Sequence, residues 1–102
     1  MLFEWDEKKR EDGIGKHRVD VVYAAQIFFG PTTSVIDDRY DYDYGETRSI
    51  SMGMVGNEVF VVVHTQHGEA IRLISAWKGG RDDRRKYQDS LARGNPSNEG
   101  KG

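Results

Sequence analysis

Two arginines interrupt otherwise apolar stretches of this chain, Arg48 in "ETRSISMGMV" and Arg72 in "AIRLISAWK". A guanidinium inside a strand-like segment has two readings. It is a rim arginine paired with an acid, as Arg48 with Glu46, or it belongs to an anion site, because its planar fork matches phosphate oxygens two at a time. Past Arg72 the chain goes on to Trp77, Lys78 and "GGRDDRRKY", which adds Arg81, Arg84, Arg85, Lys86 and Tyr87. Cations hold phosphate only where they converge in space. The same spacing also describes an ordinary charged helix face, with Asp82 beside Arg85 and Lys86.

The three histidines, His17, His64 and His67, fit no common zinc spacing, and the chain has no cysteine. No metal site, cofactor or thiol nucleophile is therefore expected. His17 follows Lys16 at a joint between helices and is either a packing residue or a proton-transfer group, since imidazole titrates near neutrality. The loop "DDRYDYDYGE" opens like a calcium loop, but its glutamate is misplaced. It reads better as a solvated acidic loop, the alternative being a surface that receives a basic partner.

These residues need elements to carry them. "LFEW" alternates as a short first strand does, and Asp6 suits the N-cap of a charged helix over 7–12 weakened by Gly13 and Gly15. Asp20 caps a second helix, with Val19 as a hydrophobic staple on Ala24 and Val21, Ala24, Ala25 and Phe28 at helical spacing. Gly30 and Pro31 stop it. Three strands follow: 47–55, "EVFVVVHT" after the Gly56-Asn57 hairpin signal, and "AIRLISAW" after "QHGE". Strict alternation puts Arg72, Ile74, Ala76 and Lys78 on one face of the last strand, and Leu73, Ser75 and Trp77 on the other. A closing helix begins near Asp82 and Asp83, with Tyr87 and Leu91 to pack it down. The expected fold is α+β: N-terminal helices, an antiparallel three- to four-stranded sheet and a C-terminal helix.

With 102 residues, 36% hydrophobic and 31% charged, one economical core is all the chain can build. A single domain over 1–92 is expected, with a disordered Gly/Asn/Pro/Ser-rich tail over 93–102. There is no apolar run of the roughly 20 residues that spans a bilayer, and the charged start "MLFEWDEKKR" does not look like a signal peptide. A cytoplasmic protein is the expectation. The net charge of −2 conceals a segregation, with about −4 over 34–46 and +4 over 72–93, so it does not argue against an anionic partner.

"FEWDEKK", "KH", the acidic loop with "GETR", "IRLISAWK" and a late "DR..Y", in this order over 3–87, resemble the BrnT-like toxins of type II toxin–antitoxin systems. The resemblance implies a RelE-like fold and a metal-independent endoribonuclease that cuts RNA and arrests growth. Its implied partner is a BrnA-like ribbon-helix-helix antitoxin, through which operator DNA is met indirectly. It makes Arg48 and Arg72 the phosphate and transition-state residues, with Lys78, Arg81, Arg84 and Trp77 as RNA contacts. His17 or Glu46 would be the base and Tyr87 an acid or a stacking group. The chain departs from the family at two points. Trp77 stands where the family has arginine after "ISA", and Asp83 replaces the common glutamate before the late arginine. The first departure opens an alternative, a catalytically attenuated homologue that serves as antitoxin-binding partner and co-repressor.

Overall fold

Two aspartates start the helical part of the chain as the sequence suggests. In the computed structural model, which describes residues 1–37 and 47–94, Asp6 accepts a hydrogen bond from the Lys9 amide and Asp20 from the Val22 amide. The element order is β1 (Leu2–Glu4), α1 (Glu7–His17), α2 (Val21–Ala24), a 3-10 turn (Ala25–Phe29), β2 (Thr33–Asp37), β3 (Arg48–Val55), β4 (Glu58–His67), β5 (Ala70–Lys78) and α3 (Arg81–Ala92). Of the acidic loop over 37–46 and the tail over 93–102, residues 38–46 and 95–102 lie outside the described residues, while Asp37 ends β2 and Arg93 caps α3.

The α+β class holds, but the sheet is larger and of a different kind than expected. Among the described residues it has five strands in the order β1-β5-β4-β3-β2, and it is mixed, because β1 runs parallel to β5 while the other pairs are antiparallel. The added strand is β2, "TSVID", which pairs with β3 from Thr33–Met52 to Asp37–Arg48. Its β-branched residues are ordinary strand formers. Five residues wedged between Gly30-Pro31 and an acidic loop give too short a pattern to stand out.

α1 also runs further than 7–12, through both glycines to His17. A Cβ at Gly13 or Gly15 would meet nothing within 4 Å, so each costs only intrinsic propensity, about 1 kcal/mol. The helix ends at Arg18, in the left-handed region at φ 60, whose amide bonds the Ile14 carbonyl. Arg10 then fixes α1 to α2 through a two-pronged pair with Asp20 at 2.9 and 2.7 Å. Those bonds hold the Asp20 carboxyl below its usual range.

The core lies between α2 with its 3-10 extension and one sheet face: Val21, Ala24, Ala25 and Ile27 against Phe60, Val62, Leu73 and Ala76. Gly53 is required there, since a Cβ at that position would stand 2.6 Å from the Ile27 Cβ. α3 covers part of the other face, touching β2, β3 and β4, and the buried Tyr87 hydroxyl donates to the Pro31 carbonyl at 2.9 Å.

A bulge in β5 corrects the expected alternation. Ser75 pairs with Val63 and Leu73 with the next residue, His64, which leaves Ile74 as the extra residue. Facing residues share a side, so Ser75 and Trp77 fall on Arg72's face, and Ala76 and Lys78 on the other with Leu73. The inserted residue exchanges every side chain beyond it.

Candidate functional site

Three strands, β1, β5 and β3, deliver polar groups to one cleft, with β4 between the last two. Glu4 on β1 pairs with Arg72 on β5, and Arg72 in turn with Thr65 on β4. On the far side of Thr65 comes Arg48, the β3 residue next after the Ser49–His64 pair. The two arginines thus flank the buried Thr65 on one face, about two strand spacings or roughly 10 Å apart. The Thr65 hydroxyl donates to the Thr47 carbonyl at 2.6 Å and holds the start of β3 in place. Arg48, Arg72, Lys9, Glu4, Trp5, Asp6, Leu73 and Ile74 line a cleft of about 410 Å³.

Glu4 organises the exposed side of this cleft. One carboxylate oxygen accepts from Arg72 Nε at 2.8 Å and from His67 Nδ1 at 2.6 Å. The hydrogen bond from His67 chiefly holds the Glu4 carboxyl below its ordinary range; Arg72 adds to it and partial burial opposes both. Arg72 uses Nε on Glu4, which leaves its two terminal amino groups as further donors, and its side chain is 49% exposed.

α1 starts beside this cleft and runs along β5, where β1 pairs only with 70–72. A second depression, of about 200 Å³, is lined by Lys9, Asp12, Gly13, Lys16, His17, Ile74 and Ser75, and so shares Lys9 and Ile74 with the first. At its far end the His17 ring lies 6.0 Å from that of Trp77. The half-buried Trp77 also borders an apolar groove with Val61, Met52 and Val35 on the sheet and Lys86 on α3. Arg48, Arg72, His17 and Trp77 are therefore brought onto one continuous surface.

The remaining residues lie elsewhere. Lys78 is at the opposite end of β5 from Arg72, roughly 20 Å away at strand rise, on the other face, and pairs with Glu58 at 2.6 Å. Arg81 and Arg84 line a shallow surface with Arg85 and Gln88 at the start of α3, where Asp83 accepts from the Gly80 amide at 3.0 Å. Tyr87 is 2% exposed, burial pushes its phenol pKa up, and its hydroxyl is engaged by Pro31. Glu46 lies outside the described residues. Among the described residues, no group of three or more His, Asp or Glu is placed to hold a metal ion.

Sequence reasoning overlooked Glu4, Lys9 and His67. The first two sit in "FEWDEKK", where Glu4 reads as the polar half of an alternating strand and Lys9 as one charge of a helix face. His67 reads as a turn residue of "QHGE". The parallel pairing of β1 with β5, 68 residues later in the chain, brings Glu4 to Arg72 and His67, and α1 follows with Lys9.

A family model described as "Ribonuclease toxin, BrnT, of type II toxin-antitoxin system" matches residues 5–83. No curated protein matches the chain. The matched span contains Arg48, Arg72, His17 and Trp77, and no helix of the described residues is long and apolar enough to cross a membrane.

Proposed function

The chain belongs to the BrnT family of ribonuclease toxins, and from that premise we propose that it is a metal-independent endoribonuclease whose activity arrests growth. The carrying observation is that Arg48 and Arg72, from strands that are not neighbours, line one cleft on either side of Thr65. Cleavage by a neighbouring 2′-hydroxyl passes through a phosphorane whose charge exceeds that of the starting diester. Two preplaced guanidinium groups stabilise it more than they stabilise the substrate. Lys9 adds a third cation at the cleft, and the depression through Lys16 to His17 and Trp77 offers the strand a basic path ending in aromatic rings. Lys78, Arg81 and Arg84 are proposed as outlying contacts for longer RNA. The partner is proposed to be a BrnA-like ribbon-helix-helix antitoxin, which carries operator binding for the pair.

Purified protein and a labelled oligoribonucleotide test this. Cleavage is expected for the ribonucleotide strand and not for its 2′-deoxy counterpart. The Arg48→Ala, Arg72→Ala double variant should lower the rate at least about 100-fold. Equal cutting of the deoxy strand, or a double variant as active as wild type, defeats the proposal.

Trp77 supports the second reading, an attenuated homologue that binds antitoxin and co-represses. Its indole occupies, beside His17, a place where a further cation would strengthen the path. On that reading wild type cuts poorly and Trp77→Arg gains activity.

A further inference from the structure

His67 is the one histidine at the Glu4–Arg72 pair, and its surroundings define its chemistry. A carboxylate can only accept, so the 2.6 Å contact places the proton of the neutral ring on Nδ1. The lone pair is then on Nε2, on the far side of the ring. That nitrogen makes no hydrogen bond to any described residue, and the side chain is 62% exposed. Arg72 Nε is bound to the same Glu4 oxygen, so the imidazole is tethered beside the guanidinium proposed above to hold the phosphate. In the register, His67 is two residues beyond Thr65 on β4, on the face that carries Arg72.

We infer that His67, oriented by Glu4, is the general base of this cleft, acting on an RNA strand whose phosphate lies against Arg72 and Arg48. The inference rests on the ribonuclease reading and supplies the proton-transfer group that the two arginines lack. Nε2 takes the proton of the 2′-hydroxyl as the 2′-oxygen bonds to phosphorus. The phosphorus–O5′ bond breaks, and the departing 5′-oxygen takes a proton from water. The hydroxide so formed collects the proton from the imidazolium. The products are a 2′,3′-cyclic phosphate and a 5′-hydroxyl, with no net proton change. Glu4 is a positioning residue, since it fixes the tautomer and stabilises the imidazolium formed in the step. The charged groups that line the adjoining cleft, with Glu4, are Arg72 on β5, Arg48 on β3, and Asp6 and Lys9 at the head of α1.

A plain structural clamp of the edge strand β1 would contain the same Glu4 contacts, so the test needs readouts that a clamp would not move. Single-turnover cleavage of the oligoribonucleotide is followed against pH for wild type, His67→Gln, Glu4→Gln and His17→Gln, with thermal unfolding of each. Expected are a wild-type rate that rises with pH and levels off, a loss of about 100-fold or more in His67→Gln, and disappearance of its rising limb. Glu4→Gln should retain partial activity, because the imidazole stays on β4 but loses the carboxylate that orients it. His67→Gln within about threefold of wild type, with the same pH profile, overturns the inference and leaves the ribonuclease reading intact. Loss confined to His17→Gln transfers the role to the other end of the path and overturns it equally. A wild type that cuts ribose and deoxyribose strands alike, or yields no cyclic phosphate, removes the ribonuclease reading and the inference with it.

Discussion

His64 and His67 stand three residues apart on β4, and the odd spacing sends them to opposite faces of the sheet. His64 points to the helix-covered face. Its ring meets Phe28 edge-on at 4.9 Å, and its Nε2 is 2.7 Å from the Ser51 hydroxyl, itself 2.5 Å from that of Ser34. Burial lowers its pKa to about 4, so this ring is neutral and structural. His67 points to the exposed face, where Glu4 orients it beside Arg72. The residue type is the same, and the strand is the same. The difference teaches that a histidine's chemistry here is decided by what the neighbouring strands place beside it: apolar rings and hydroxyls on one face, a carboxylate on the other.

The largest effect that can break this comparison is on stability. The folded chain resists a charge on His64, so as pH falls below about 6.5 the unfolded chain takes up the proton first. Stability is complete above that pH and is lost between about 6.5 and 4, by on the order of 3 kcal/mol, and then levels because both states are protonated. Denaturant midpoints across this range should show the loss in wild type and in His67→Gln, with a flatter profile in His64→Leu. If His67→Gln abolishes the dependence, His67 and not His64 is the histidine held neutral in the folded chain.

A smaller effect separates the ends of β5. Replacing Arg81, Arg84 and Arg85 together by alanine should lower cleavage at saturating RNA less than about tenfold. The slope of log affinity against log salt should fall by about 2, the share of three single-strand phosphate contacts. A loss as deep as that of the Arg48 and Arg72 double variant would merge the two cationic surfaces into one site. Smallest is Asp20→Ala, which removes the α2 cap and Arg10's partner; about 1 kcal/mol in the unfolding midpoint is expected, with cleavage per folded molecule unchanged. A cleavage defect there would mean that the α1–α2 joint sets the position of Lys9 and His17.

The caps, the two hairpins and the closing helix were all legible. Asp6, Asp20, Gly56 and Gly68 act through their immediate neighbours, and Gly56 and Gly68 take φ of 64 and 62 at two-residue turns between paired strands. Arg48 and Arg72 were legible as well, because a guanidinium inside an apolar stripe is conspicuous. Glu4 and His67 were not, since each is unremarkable in its own segment and gains meaning only across a long-range pairing. The length of α1 was misjudged because propensity charges for Gly13 and Gly15, while the Arg10–Asp20 pair and the packing of α1 on β5 outweigh that cost.

By itself the sequence determined the local grammar of this protein: where helices start, where hairpins turn, which segments alternate, and that its cations gather late in the chain. Those features depend on residues within a few positions of one another. The tertiary structure alone decided which cations meet. Strict alternation joined Arg72 to Lys78, whereas the bulge at Ile74 puts Lys78 on the other face and brings Ser75 and Trp77 to the side of Arg72. A bulge is fixed by pairing with the facing strand, and Glu4 reaches His67 only because β1 closes the sheet edge beside β5. Both depend on partners 60 or more residues away or on another strand, which no short window of sequence contains.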